Sequence, residues 1–417
     1  MRLTHAVVAT IVVMFFLEPV LAQRPPGIFR RKTLTDDWFG LGGRLAEKGV
    51  LLDMGLTQVW QANLRGGIGT HRRSGRYAGS YDLELELDTE KLFGVPGGGF
   101  FCLAEGSWSE GVDASPAGGV FGLNDDAAGD RSVDVSELWY EQGFGDGRLR
   151  FRLGKLDLTG GFECRGCPVA FDASAYANDE TAQFLNSALV NNPTIPFPEN
   201  GLGLAGYFQL RQRWYAAAGL ADARADARET GFNTAFHGRS DFFGICETGV
   251  VPHFQSRKGR LPGAYRVGLW YDPRPKHHLD GQGIKRDDAG FYVSCDQMVF
   301  KENTGEQDSQ GLGLFARYGS ADAQVNEIES FWSVGAQFKG MIPARDDDVL
   351  GFGAAQGRLN RAAGFTAGGE TAMELYYNCR VTPWMSLAPS VQYVFSPAGR
   401  RDAHDAVVIG ARLQMSF

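Results

Sequence analysis

Apolar and polar side chains alternate residue by residue along much of the chain. The stretch YDLELELD at 81–88 alternates leucine with aspartate or glutamate, and LRFRLG at 149–154 alternates apolar residues with arginine. The chain ends on DAVVIGARLQMSF at 405–417, where every second position from Val407 to Phe417 is apolar. Because successive side chains of a strand point to opposite faces, this period predicts β-strands with one apolar and one polar face.

The alternation predicts sixteen strands. Most are about ten residues long, which is the length that a tilted strand needs to cross a bilayer. The predicted strands are 50–60, 79–89, 99–109, 133–143, 148–157, 201–209, 212–221, 241–250, 263–272, 289–299, 311–319, 331–340, 349–357, 369–378, 385–395 and 405–417.

The connections between these strands alternate between short and long along most of the chain. Short ones include GFGDG and RQR, and long ones include ADARADARETGFNTAFHGRS and DPRPKHHLDGQGIKRDDAG. Outer-membrane barrels show this asymmetry, with short periplasmic turns and long outer loops. A soluble sandwich also alternates, but this combination favours an all-β fold, a closed transmembrane β-barrel of sixteen antiparallel strands over 50–417. The connection FKENTGEQDSQG, after the tenth strand, is longer than its periplasmic position predicts.

The N-terminus has the pattern of an exported protein. A basic residue precedes the apolar run AVVATIVVMFFL and small residues follow it, so we predict a cleaved signal peptide over 1–22. Residues 23–49 are then a periplasmic, plug-like segment, in which 37–48 is expected to form a short helix of one or two turns, capped by Asp36 or Asp37. No second apolar run of about twenty residues follows, so no transmembrane helix is predicted.

Composition narrows the function classes. The net charge is −8 and no basic stripe stands out, which argues against a nucleic-acid partner. The seven histidines lie in the leader, loops or turns and not mid-strand beside a serine, so no enzyme is predicted. Among six cysteines, only Cys164 and Cys167 in ECRGCP suggest a possible local disulfide. A zinc site would need a second ligand pair, and neither metal nor cofactor is predicted.

Sixteen strands are expected to enclose an aqueous channel rather than a packed core. The inward set of charged and aromatic side chains then lines the pore, where aromatic faces suit pyranose rings and charged groups bind hydroxyls. Whether each of these residues contacts solute or only solvates the lumen stays open at this stage. The pore-lining and sugar-contact candidates are Glu84, Glu86, Arg150, Arg152, Arg266, Trp270, Tyr292, Phe315, Arg317, Glu374, Tyr376 and Arg412.

The longest connection covers 158–200 and is too long for a passive link. DETAQFLNSALV at 179–190 is expected to form a short helix capped by Asn178 or Asp179, and three prolines stiffen NPTIPFPENG after it. We predict that this segment folds into the barrel and narrows it. An outer cover over the protein is the alternative.

Five motifs together make the chain similar to the carbohydrate-selective porins of the OprB family, over essentially the whole mature chain. They are LTDDWFGLGGRLAEKGV at 34–50, RFRLGKLDLTGGF at 150–162, FLNSALVNNPTIPFP at 184–198, LPGAYRVGLWYD at 261–272 and TPWMSLAPSVQYVFSP at 382–397. The resemblance implies a sixteen-stranded channel through which sugars such as glucose diffuse. It also implies an inward structure that narrows the pore, and luminal groups that favour monosaccharides.

The resemblance further implies a location in the outer membrane of a Gram-negative bacterium, in contact with lipid and lipopolysaccharide. A terminal aromatic strand resembles the signal read by the barrel-assembly machinery, so Phe417 is expected to serve that role. The alternatives are a general or non-sugar small-solute porin and a structural outer-membrane barrel. The oligomeric state stays open.

Overall fold

The protein is described by a computed structural model. The signal peptide predicted over 1–22 and the Cys164–Cys167 pair both lie outside the described residues. The described ranges are 27–69, 75–109, 111–112, 117–127, 129–162, 184–226, 241–305 and 308–417.

Sixteen long antiparallel strands form one sheet that closes on itself, because the first strand pairs with both the second and the last. Closure removes the sheet edges, so every strand satisfies its backbone groups within the barrel wall. The prediction of a closed sixteen-stranded barrel is confirmed. The strands are β1 (Val50–Gly67), β2 (Arg76–Asp88), β3 (Gly98–Trp108), β4 (Arg131–Phe144), β5 (Leu149–Leu156), β6 (Gly201–Arg211), β7 (Trp214–Asp222), β8 (Phe242–Val250), β9 (Gly259–Asp272), β10 (Asp288–Lys301), β11 (Gly311–Ser320), β12 (Ile328–Lys339), β13 (Val349–Leu359), β14 (Gly369–Thr382), β15 (Met385–Phe395) and β16 (His404–Ser416).

Three short strands accompany the barrel. His253–Ser256 pairs with the start of β9 and adds a small hairpin at the end of the barrel that carries the short turns. Lys276–His277 pairs with Ile284–Lys285 inside the connection between β9 and β10. None of the helices in the described part of the chain is both long and apolar enough to cross a membrane.

The alternation of the sequence separates an outer and an inner face. In β9, Tyr265, Val267 and Leu269 are exposed on the outside, whereas Arg266 and Trp270 are buried on the inside. A belt of exposed large apolar side chains follows the outer face around the barrel, as expected of a surface that meets hydrocarbon.

The seam between β1 and β16 explains why the chain is ordered up to its end. The two strands stay in register from Gly55 opposite Ser416 to Asn63 opposite Val408. The backbone N–H of Phe417 then donates to the carbonyl of Met54 at 3.0 Å. The role of Phe417 in assembly stays a prediction.

The N-terminal segment lies against the rim where β1 begins and β16 ends. The N–H of Leu34 donates to the carbonyl of Ser416 at 2.8 Å, and the indole of Trp38 donates to the carbonyl of Leu52 at 2.9 Å. Two short helical turns lie in the region predicted to hold one or two, Asp36–Gly40 and Gly42–Glu47, and residues 36–39 have positive φ, so the first is not a regular right-handed helix. The hydroxyl of Thr35 accepts the N–H of Trp38 at the first turn, and the carboxylate of Asp37 accepts the N–H of Gly43 at the second, at 2.6 Å.

Two described segments between strands run inside the barrel. We call residues 117–127, between β3 and β4, the strap, and residues 184–200, between β5 and β6, the crossing segment. The crossing segment contains one helical turn, Ser187–Val190, whose N-cap is Asn186. In the described part of the helix predicted over 179–190, residues 187–190 are helical and residues 184–186 are not. The predicted cap, Asn178 or Asp179, lies outside the described residues.

A buried carboxylate of β14 holds the crossing segment. Glu374 accepts the backbone N–H groups of Leu185 at 3.0 Å and of Asn186 at 2.8 Å. These two donors precede the helical turn, so they have no partner within it. A charged acceptor bound to backbone N–H groups makes a stronger hydrogen bond than a neutral one.

The strap is held in the same way, by β14 and by two other strands of the wall. Glu370 of β14 accepts the N–H groups of Val120 at 2.8 Å and of Phe121 at 3.1 Å. The carbonyl of Leu123 accepts from the side-chain amides of Gln61 and Gln392, at 2.7 Å and 2.9 Å. The wall thus satisfies backbone groups that the interior of the barrel would otherwise leave unpaired.

The strap and the crossing segment also bind each other and pack on the wall. The N–H of Asp125 donates to the carbonyl of Leu185 at 2.9 Å, and the N–H of Ser187 donates to the carbonyl of Gly122 at 2.8 Å. Apolar side chains of both segments complete a buried cluster with the inner wall. Its members are Phe121, Phe184, Ala188, Leu189, Val190, Phe315, Phe331, Ala355, Ala372 and Tyr376.

We predict that Glu374→Ala loosens the crossing segment. The substitution leaves the N–H groups of Leu185 and Asn186 without an acceptor, at a cost of about 1–3 kcal/mol for each buried donor. When samples are heated before electrophoresis, folded Glu374→Ala should therefore convert to the unfolded form at a clearly lower temperature than the parent protein. Glu374→Gln keeps one acceptor oxygen and should lie between the parent and Glu374→Ala. Identical transitions for all three proteins would contradict this account.

Candidate solute-binding site

The twelve residues predicted to line the pore separate into two groups. Eight of them are no more than 4% exposed, so they lie beneath other side chains and do not face open space. For these eight, the expectation of an open pore-lining position is corrected by the structure. They are Arg266, Trp270, Tyr292, Phe315, Arg317, Glu374, Tyr376 and Arg412.

Charged members of the buried group hold the inner segments. Besides Glu374, Arg317 of β11 donates to the carbonyl of Leu189 at 2.9 Å. Arg412 of β16 pairs with Asp126 of the strap at 2.9 Å, and both side chains are buried. An arginine brings several donors in a fixed plane, which suits it to holding a carbonyl or a carboxylate.

Other members of the buried group pair within the wall itself. Arg266 and Asp296, on neighbouring strands, form a buried ion pair at 3.0 Å. The hydroxyl of Tyr292 donates to the carboxylate of Glu247 at 2.7 Å. Trp270 stacks against Phe243, with ring centroids 6.4 Å apart.

The remaining four predicted residues, Glu84, Glu86, Arg150 and Arg152, are partly exposed on the inner faces of β2 and β5. They belong to the part of the wall, β1 to β5, that the strap and the crossing segment leave open toward the short turns. A cavity of ≈ 990 Å³ lies there. Its lining includes Glu86, Arg150 and Arg152 together with Phe101, Trp139 and Glu141.

Arg152 is fixed in this cavity by two neighbours on β4. Its Nε donates to the carboxylate of Glu141 at 2.7 Å, and its guanidinium lies 4.2 Å from the ring centroid of Trp139. Arg150 approaches the other oxygen of Glu141 at 3.5 Å. One carboxylate therefore orients two arginines, and the indole supports the planar face of one of them.

Trp139 is itself held on two sides. Its indole N–H donates to Glu137 at 2.8 Å, and its ring stacks on Phe101 of β3 with centroids 4.8 Å apart. None of Glu137, Trp139 and Glu141 was among the predicted site residues. The signal was present, because SELWYEQGF places these three side chains at alternate positions of one strand.

Arg152 and its neighbours in the cavity combine the groups that bind a polyhydroxylated solute. The guanidinium of Arg152 offers a fork of donors, and Glu141 and Glu86 offer acceptors. Phe101 and Trp139 add apolar aromatic surface beside them. The side chains of Arg152 and Glu141 are 20% and 18% exposed, so they are reachable from the cavity while remaining held in place.

Comparisons with known proteins agree with this architecture. A model of the carbohydrate-selective porin, OprB family, matches residues 72–417. Porin B of Pseudomonas aeruginosa is 24% identical, and the match covers 93% of this chain and 91% of that protein. The putative porin QuiX of Acinetobacter baylyi is 23% identical, with 68% and 69% covered. A high-pH structure of Pseudomonas putida OprB has a TM-score of 0.79 at 22% identity, with 93% and 99% covered.

The family model spans β2 to β16 and both inner segments. The structural match at low identity shows that the barrel fold is shared. The chain therefore belongs to the OprB family of carbohydrate-selective porins, and its family and fold indicate an outer-membrane channel.

Proposed function

We propose that this porin lets small neutral sugars of about the size of glucose diffuse passively into the periplasm. The observation that carries the proposal is the Arg152–Glu141–Trp139 group on the open wall of the ≈ 990 Å³ cavity. The strap and the crossing segment support it, because they occupy the rest of the described interior and reduce the width of the channel.

The proposed mechanism is exchange of water for weak contacts. A sugar that reaches the cavity replaces the water on Arg152 and Glu141 with its own hydroxyls, and an apolar ring face meets Phe101 or Trp139. Each contact substitutes for one with water, so the net free energy is small. Weak binding is what flux requires, because a tightly held solute would not leave the channel.

A swelling series with proteoliposomes tests the proposal. We expect glucose to enter several times faster than a disaccharide, and larger oligosaccharides to be excluded. Equal rates for sugars and non-sugar solutes of one size would indicate a general porin instead. No swelling with any solute would indicate a structural barrel.

We further predict that Arg152→Gln weakens the block of ion current by glucose in planar bilayers. Loss of a partly exposed, charge-assisted contact of about 1 kcal/mol corresponds to about fivefold weaker block. Arg211→Gln, at the exposed last position of β6, removes the same charge outside the cavity and should leave block unchanged. Equal block in the parent and in Arg152→Gln would remove Arg152 from the site.

A further inference from the structure

The open wall carries acidic side chains that face each other across neighbouring strands. On the inner face, Asp53 of β1 lies directly opposite Glu84 of β2, and Asp82 of β2 lies directly opposite Glu105 of β3. Glu86 continues the same row toward the short turns. Like charges directly opposite one another destabilise a sheet, so folding gives no reason to place them there.

Direct ion pairs with described residues do not neutralise these five carboxylates, although Arg131, itself paired with Asp134, lies within electrostatic reach of Glu105. Within the ranges that the structure describes, none of them forms an ion pair with lysine, arginine or histidine. The two arginines of the facing strand, Arg150 and Arg152, are already engaged by Glu141. Arg380 of β14 is the base that shares a second, ≈ 310 Å³ cavity with Asp53, Asp82 and Glu84.

The inner wall is more closed elsewhere. In β6 to β11 and in β13 to β15, most inward-facing side chains are buried, and the cavity beside Arg380 is open toward the short turns. Charged groups between β6 and β16 form ion pairs with the inner segments, as in Arg412–Asp126, or with each other within the wall, as in Arg266–Asp296. A solute that follows the open wall therefore passes the unbalanced carboxylates.

We propose that this path along one side of the barrel selects solutes by their charge, and that it passes small cations and cationic solutes in preference to anions. A wall of one sign in a narrow channel with low-dielectric sides concentrates ions of the opposite sign. Rows of aspartate and glutamate have this effect in cation channels. The proposal concerns the field along the path and requires no tightly bound ion, and it is independent of which sugar the porin carries.

The test is the reversal potential of purified protein in planar bilayers under a KCl gradient. The parent should show K⁺ permeating better than Cl⁻. Glu84→Gln combined with Glu86→Gln should lower the K⁺ to Cl⁻ permeability ratio by about twofold or more, since two of the five carboxylates are neutralised. The matched control is Asp346→Asn with Asp347→Asn, which removes two exposed charges from the turn between β12 and β13 and should leave the ratio unchanged.

Salt dependence provides a second readout. The Debye length falls from about 10 Å at 0.1 M to about 3 Å at 1 M salt, so the preference of the parent should shrink at high KCl. If the double variant does not insert, Glu86→Gln alone removes an exposed carboxylate of the row and should shift the ratio in the same direction. A parent that prefers Cl⁻, or equal ratios in the parent and the inserted variant, would overturn the proposal.

Discussion

The buried carboxylate of Glu374, with its hydrogen bonds to the N–H groups of Leu185 and Asn186, is the interaction on which the interior depends. A peptide segment inside a barrel loses water from its backbone, and those polar groups need partners. Glu370, Arg317 and the glutamines of β1 and β15 supply the other partners. Charged residues of the wall thus act as tethers for the strap and the crossing segment, and the apolar cluster around Phe184 and Tyr376 closes over them.

This tethering has a consequence for the position of the channel. Because most of the tethers lie on β11 and β14 to β16, the inner segments are drawn to that side of the barrel. Toward the short turns, the inner faces of β1 to β5 are left open, with Arg152 held between Glu141 and Trp139. The five carboxylates of the row on β1 to β3 form no ion pairs with described residues, a cost that folding alone does not explain. The open path, the group around Arg152 and the excess of carboxylates along the path therefore have one structural origin, which is the position of the inner segments.

The barrel could be predicted from the sequence because alternation is local, and a strand that crosses lipid must show it. The sixteen strands, their order and the inward side of each residue follow from period and length alone. Glu84 and Glu374 nevertheless look alike in sequence, since both alternate with apolar residues. Which one meets open space depends on segments distant along the chain that cover one and leave the other exposed. Trp139 was missed because its role comes from Arg152 and Phe101 on adjacent strands.

The central claim is that the open path follows β1 to β5, and the conductance of single channels tests it most directly. Leu103 of β3 faces inward opposite Glu84, whereas Val267 of β9 is exposed on the outer face. Leu103→Trp adds an indole to the proposed path, and Val267→Trp adds the same group on the lipid side. The account predicts that Leu103→Trp lowers the conductance and that Val267→Trp matches the parent. Parent-like conductance in folded Leu103→Trp would contradict it.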